Sequence, residues 1–268
     1  MAQPRQYGWL RIMSTYYWGF WYALIFLSRV PGPYLKRMDK DVQQAAMWFY
    51  PIVGAILGLV LVMLVWLCFQ YNPQAPVFLV AALVLALWVY FTGAMHLDGV
   101  ADTADAWVGG LGNHKRTLEI MKDPRIGSMG VAAMLVILLV KFAAIVVLIE
   151  QTQSNTWLLL GGLLLIPMMA RTGIIGVMAT TTYVRKQGMV SDTQNAATKN
   201  KVLVMGIIMA LLAIPMLQEK TLLILLAWVL VLAAYRRALN KRLGGYTGDT
   251  LGAAVEIQEA VLLAVLML

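Results

Sequence analysis

Charge is scarce in this chain and cysteine almost missing. Only 13% of the 268 residues are charged, two are histidines, and Cys68 is the single cysteine. One thiol excludes an intramolecular disulfide and any cysteine-rich metal site, and Cys68 lies inside an apolar run, where it reads as packing. The low charge also excludes an ordinary soluble core. Hydrophobic residues make up 61% of the chain and the mean hydropathy is +0.75, values of a multi-spanning membrane protein. No basic patch is interleaved with aromatics, so the net charge of +8 does not indicate nucleic acid. A removable signal peptide is not expected: Arg5 and Arg11 precede the run from Tyr16 to Leu27, but Ser28-Arg29-Val30-Pro31 follows in place of a small-residue cleavage site. Low-complexity segments, linkers and internal repeats are missing as well, so residues 1–268 read as one integral membrane domain.

What is present is a series of apolar runs. Residues 12–30, rich in Trp and Tyr, either cross steeply or lie at the interface. Spans are expected over about 45–69, 75–95, 128–149, 156–178, 202–217 and 221–235, followed by a last apolar segment ending at Leu268. The expected fold is an all-α, polytopic transmembrane bundle of about seven or eight helices. Loops 28–44, 96–127, 180–201 and 236–252 hold four Lys or Arg each, whereas the intervening loops hold only Lys220. The positive-inside rule therefore puts those four loops, with every candidate motif, in the cytoplasm. The expected location is a bacterial inner membrane with the site facing the cytoplasm. A transporter would place its polar groups on broken helices near the midplane of repeated halves, and no such repeat exists.

The densest chemistry lies in His96-Leu97-Asp98-Gly99-Val100-Ala101-Asp102-Thr103-Ala104-Asp105, directly after an apolar run. On a helix, Asp98, Asp102 and Asp105 stand at i, i+4 and i+7 and share one face. Three anions there repel one another, and a hard divalent cation such as Mg2+ removes the conflict while keeping positions for water and phosphate oxygens. The plainer alternative is a solvated acidic turn. Downstream, Glu119 and Asp123 repeat the i, i+4 spacing among Arg116, Lys122 and Arg125, which suits either a surface helix with ordinary ion pairs or a metal site flanked by phosphate-binding cations. Lys141 and Arg171 sit within spans, where each needs a polar partner: Arg171 to hold a diphosphate, Lys141 to pair with an acid, or both in an internal ion pair. Near the C-terminus, Gly244-Gly245-Tyr246-Thr247-Gly248-Asp249-Thr250-Leu251-Gly252 precedes Glu256 and Glu259. Gly248 permits close approach of a phosphate, and Asp249 is either a helix cap or a metal ligand. His96 is a candidate proton acceptor, with a structural hydrogen bond as the alternative.

These segments, together with Leu118-Glu119-Ile120-Met121-Lys122-Asp123, Arg125-Ile126-Gly127 and Leu251-Gly252-Ala253-Ala254-Val255-Glu256, resemble the cobalamin synthase family, the adenosylcobinamide-GDP ribazoletransferases. The likeness spans the whole chain, and departs from the family pattern at Ala106, where Gly is expected, and at Pro124, where Ser is usual. It implies an enzyme in which a hydroxyl of α-ribazole, or of its 5′-phosphate, attacks the cobinamide-side phosphate of adenosylcobinamide-GDP and GMP leaves. On this reading Asp98, Asp102 and Asp105 hold Mg2+, Asp123 and Asp249 complete a second or shared site, and Lys122, Arg125 and Arg171 grip phosphate oxygens. The base is His96 or a spare carboxylate such as Asp105 or Glu256. The partners implied are these small molecules and membrane lipid, with a homo-oligomer left open. The CDP-alcohol phosphotransferases use a similar logic, but their Asp-Gly-x-x-Ala-Arg pattern is not matched, because Asp98-Gly99-Val100 continues as Ala101-Asp102. A cation or corrinoid transporter is the non-enzymatic rival.

Overall fold

A computed structural model describes residues 8–152, 156–185 and 198–268; Arg5 and residues 186–197 of the third basic loop lie outside the described residues. The described chain is helical. Helix α1 (Gly8–Leu27) leads through a loop to α2 (Lys40–Ala46), whose first turn is capped by Asp39 accepting from the Val42 amide. A short 3-10 turn continues into α3 (Tyr50–Tyr71), with Pro51 in its first turn, where a missing N–H does no harm. Next come α4 (Val77–Thr92) and α5 (Met95–Gly109), set at 84° to each other. Two consecutive left-handed residues make that corner, Gly93 (φ 59°) and Ala94 (φ 57°). The alanine adopts a conformation that disfavours a Cβ, and hydrogen bonds from Gly93 N to Tyr90 O and from Ala94 N to Val89 O hold the turn.

Helix α6 (His114–Ile120) is capped by Asn113, α7 runs over Ser128–Thr152, and α8 (Thr156–Leu159) passes through a π-helical segment, Leu160–Leu165, into α9 (Ile166–Thr180). The chain ends with α10 (Lys199–Leu217), α11 (Thr221–Leu243) and α12 (Gly248–Met267). Among the described residues, Lys40–Tyr71, Ser128–Gln151, Thr156–Thr180, Lys199–Leu243 and Gly248–Met267 are stretches long and apolar enough to cross a membrane, joined by α4 if it is counted with α5. The Lys199–Leu243 stretch folds back on itself at Gln218 (φ 51°): Lys199 and Arg236, from its two ends, line one cavity beside Thr180. The molecule is thus a multi-pass bundle of about the size expected. Helix α1 is not among these stretches, and it exposes Trp9, Met13 and Tyr17.

Burial shows which helix is central. Thirteen of the twenty residues of α12 are buried, against four of the nineteen in α10, so α12 is the pole around which α5, α7, α9 and α11 pack while α10 faces outward. The four basic loops gather at one end of this bundle. Lys201 Nζ donates to Gln44 O (3.0 Å), His114 meets Lys241 O (3.4 Å), Arg236 donates to Thr180 O (3.1 Å), and Arg185 donates to Met121 O (3.3 Å). At the opposite end Lys220 Nζ donates to Leu266 O (2.6 Å). Helix α5 lies across the first turns of α7 and α12 at the basic end, and is not one of the crossing helices.

Inside the bundle, α7, α9 and α12 are tied by charge. Lys141 Nζ bonds Glu256 Oε2 (3.0 Å) and Glu259 Oε2 (2.7 Å), and its ammonium sits 4.1 Å from the centre of the Trp88 ring on α4. Arg171 Nη1 pairs with Glu259 Oε1 and donates to Pro167 O (3.2 Å). Two cations and two anions are fully enclosed with no net charge. That balance is what makes their burial tolerable, and removal of one partner leaves an uncompensated charge. Lys141→Met is therefore expected to destabilise the protein by roughly 3–5 kcal/mol, with partial recovery in the double variant carrying Glu256→Gln. Unfolding in detergent micelles, followed by far-ultraviolet circular dichroism, measures both.

Candidate functional site

At the basic end a cavity of about 320 Å³ opens between α5, α12 and the segment after α9. Its apolar wall includes Phe26, Leu27 and Ile174, and its polar wall His96, Asp98, Arg185 and Asp249, with Gly248 and Gly252 at the start of α12. Two glycines set its dimensions. A Cβ on Gly99 would run into the carbonyl oxygen of Asp249, and one on Gly252 would come 3.2 Å from His96 Cα. Helices α5 and α12 therefore approach backbone to backbone, which carries Asp98 and Asp102 of one helix up to Asp249 of the other.

The helix expected from the aspartate spacing is present, but its three carboxylates do different things. Asp98 is exposed, Asp102 is half-buried, and neither has a hydrogen bond or ion pair among the described residues. Burial, then the charges of Asp98 and Asp249, push the Asp102 carboxyl up to about 7, against the opposing pull of Arg185. Asp105 has both oxygens committed elsewhere: Oδ2 accepts from Gly127 N (2.6 Å) and Oδ1 from Gly130 N (2.9 Å). It caps the start of α7 from a neighbouring helix, and a Cβ on either glycine would collide with it. Asp105, which the spacing groups with the other two as ligand or catalyst, is thus employed structurally.

Asp123 differs more. Helix α6 stops at Ile120, because Pro124 disfavours helical backbone at the residue before it, so Glu119 and Asp123 do not share a helical face. The Asp123 carboxylate accepts from Arg125 Nε (2.9 Å) and Nη2 (2.7 Å), and those hydrogen bonds lower its pKa to about 2. Neither residue lines the cavity, nor does the exposed Lys122. Arg171 is likewise not brought to the cavity, being wholly enclosed and paired with Glu259, and Glu256 is held by Lys141. Asp249 is not a cap. Thr247 caps α12 in a reciprocal box with Thr250, and the Asp249 carboxylate instead accepts from Arg185 Nη2 (2.6 Å).

His96 is buried at the cavity wall with Nδ1 lacking a partner among the described residues. Burial, reinforced by the nearby Arg171 cation, lowers its pKa to about 3, so the ring is uncharged at neutral pH. Arg185 is the residue that the sequence did not single out. It arrives through an isolated parallel bridge between Tyr183 and Tyr246, with Val184 N donating to Tyr246 O (3.1 Å) and Tyr246 N to Thr182 O (2.8 Å). No local pattern distinguishes it from the other basic residues of its loop.

Among the described residues no three His, Cys, Asp or Glu side chains converge as a preformed metal cage. Asp98, Asp102 and Asp249 nonetheless fit a hard cation of the magnesium type, which keeps several waters and takes one or two carboxylates plus substrate phosphates. Two of these three carboxylates have no other partner among the described residues, and the mutual repulsion of the three is the conflict such a cation relieves.

A family model described as cobalamin-5-phosphate synthase matches residues 19–267. An adenosylcobinamide-GDP ribazoletransferase of Acinetobacter baumannii (strain ACICU) is 41% identical over 247 residues, covering 91% of this chain and 94% of that protein. Another of the same name, from Pseudomonas entomophila (strain L48), is 39% identical over 251 residues, covering 93% and 98% respectively. No solved structure matches.

The crowding of carboxylates has a measurable signature. A carboxyl whose pKa is raised on folding contributes stability that is complete below its unfolded value of 3.8 and is lost as the pH rises through about 7. In EDTA-treated protein the melting midpoint is expected to fall between pH 5 and pH 8. Asp102→Asn should flatten that fall and raise the midpoint at pH 8; an unchanged slope would remove Asp102 as its source.

Proposed function

This chain belongs to the cobalamin-5-phosphate synthase family, and from that premise we propose that it is an adenosylcobinamide-GDP ribazoletransferase, the transferase that joins an activated corrinoid to α-ribazole in cobalamin biosynthesis. The observation that carries the reading in this molecule is that Asp98 and Asp249 line one cavity at the basic end of the bundle, with Asp102 close enough to feel the charge of both. Displacing a nucleotide from a diphosphate needs positive charge at the bridging and leaving oxygens, and a clustered set of hard oxygen ligands is how a protein places it.

In the proposed reaction a hydroxyl of α-ribazole, or of its 5′-phosphate, attacks the cobinamide-side phosphorus, the P–O–P bridge breaks, GMP departs with the bridging oxygen, and the hydroxyl proton passes to the departing phosphate or to water. Asp98, Asp102 and Asp249 would hold Mg2+, which when bound neutralises phosphate charge. The glycine-lined start of α12, with Gly248 on the cavity, lets the diphosphate approach the backbone. His96 accepts a hydrogen bond from the attacking hydroxyl through its unpartnered Nδ1. With a pKa near 3 it orients that hydroxyl and does not retain the proton. Phe26, Leu27 and Ile174 exclude water from the opposite wall. The positive-inside pattern supports a bacterial cytoplasmic membrane with this end facing the cytoplasm, where water-soluble nucleotide substrates are available.

Purified protein incubated with adenosylcobinamide-GDP, α-ribazole and Mg2+ is expected to release GMP and form a complete corrinoid, both followed by chromatography. Asp98→Asn and Asp102→Asn should each lower the rate by roughly a hundredfold or more, whereas Asp123→Asn, outside the cavity, should stay within a few-fold of the parent. Uptake of corrinoid by vesicles without nucleotide release would favour the transporter instead. For His96→Gln the expected result is a lower turnover with an unshifted pH profile between pH 6 and 8, since the imidazole is already uncharged there. A profile limb that disappears with the histidine would restore it as the proton-retaining base.

A further inference from the structure

We propose that Arg185 is the side chain that binds the diphosphate of the donor substrate, with Asp249 and the Met121 carbonyl as its positioning partners; this rests on the transferase reading above. Three observations converge on it. Among the described residues it is the one arginine or lysine that lines the cavity. The other cations considered for the task are occupied or lie elsewhere, Arg171 enclosed on Glu259 and Arg125 paired outside with Asp123.

Second, the guanidinium is only partly used. Nη2 donates to Asp249 Oδ2 (2.6 Å) and to Met121 O (3.3 Å), which fixes the plane of the group, whereas Nε is buried with no partner among the described residues. A guanidinium has five N–H donors in a rigid fork, so the donors on Nε and Nη1 remain for an anion, and a buried unpartnered donor is unfavourable until one arrives. Asp98 and Asp249 line the same cavity, and their charge would repel a diphosphate unless a cation stands beside them.

Third, the ion pair is not needed to hold the segment in place. Residues 182–184 are already fastened to Tyr246 by the two backbone hydrogen bonds, and the rings of Tyr183 and Tyr246 are in contact at 5.4 Å. A charge placed on a backbone that is anchored independently is free to serve a ligand.

Equilibrium binding of adenosylcobinamide-GDP and, separately, of α-ribazole to the purified protein in nanodiscs tests this without turnover. Arg185→Gln is expected to weaken donor binding roughly ten- to a hundredfold while acceptor binding stays within twofold. Arg185→Lys, which keeps the charge but loses the fork, is expected to lie between the variant and the parent. Donor affinity within twofold of the parent in Arg185→Gln, or a parallel loss of donor and acceptor, would overturn the assignment. If Arg185→Gln does not fold, Arg185→Lys decides alone, and parental donor affinity in it overturns the proposal. A folded parent protein that neither binds the donor nor releases GMP would instead overturn the transferase reading itself, so the two failures are distinguishable.

Discussion

The bundle depends on four charges that meet where no water does. Lys141, Arg171, Glu256 and Glu259 come from three helices far apart in sequence, and none of them is tolerable in that interior alone. Their mutual neutralisation fixes the rotation of α7 and α9 against α12. A helix turned by one residue would carry its charge some 100° around the axis and away from its partner. Once that rotation is set, the first turn of α12 has only one orientation left, with Asp249 and the glycines toward α5.

Site geometry follows from that placement by small steps. Gly99 and Gly252 bring two backbones into contact, the left-handed pair Gly93-Ala94 lays α5 across the bundle end, and Asp105 fastens its far end to the start of α7. One aspartate of the acidic helix is therefore structural so that the other two are held without partners of their own. Electrostatic conflict concentrated at Asp98, Asp102 and Asp249 is the state that a cation-assisted phosphate reaction requires of its protein.

Much of this was legible in the residues. Apolar run length revealed the crossing helices, alternation of basic loops showed which ends belong together, and the i, i+4, i+7 spacing put the aspartates on one face. What escaped is of two kinds. One is local: the i, i+4 spacing of Glu119 and Asp123 suggests a shared helical face, but Pro124 disfavours helical backbone at the residue before it and α6 stops at Ile120. The fates of Arg171, Asp105 and Arg185 depend on contacts across 22 to 88 positions of sequence, and no local pattern encodes which of several similar charges will find which partner. Lys141 was expected to want an acid, but the choice of Glu256 and Glu259 is a property of the packed helices.

The order of the chain gives the enclosed ion network a temporal meaning. Both cations are synthesised before either anion, and the anions lie on α12. A nascent chain entering the bilayer must therefore keep the helices of Lys141 and Arg171 provisionally placed, their charges still hydrated at an interface or shielded by the insertion machinery, until α12 emerges. Assembly of the interior is in this way deferred until Glu256 and Glu259 have been made, and a chain interrupted before residue 256 has no means of completing it.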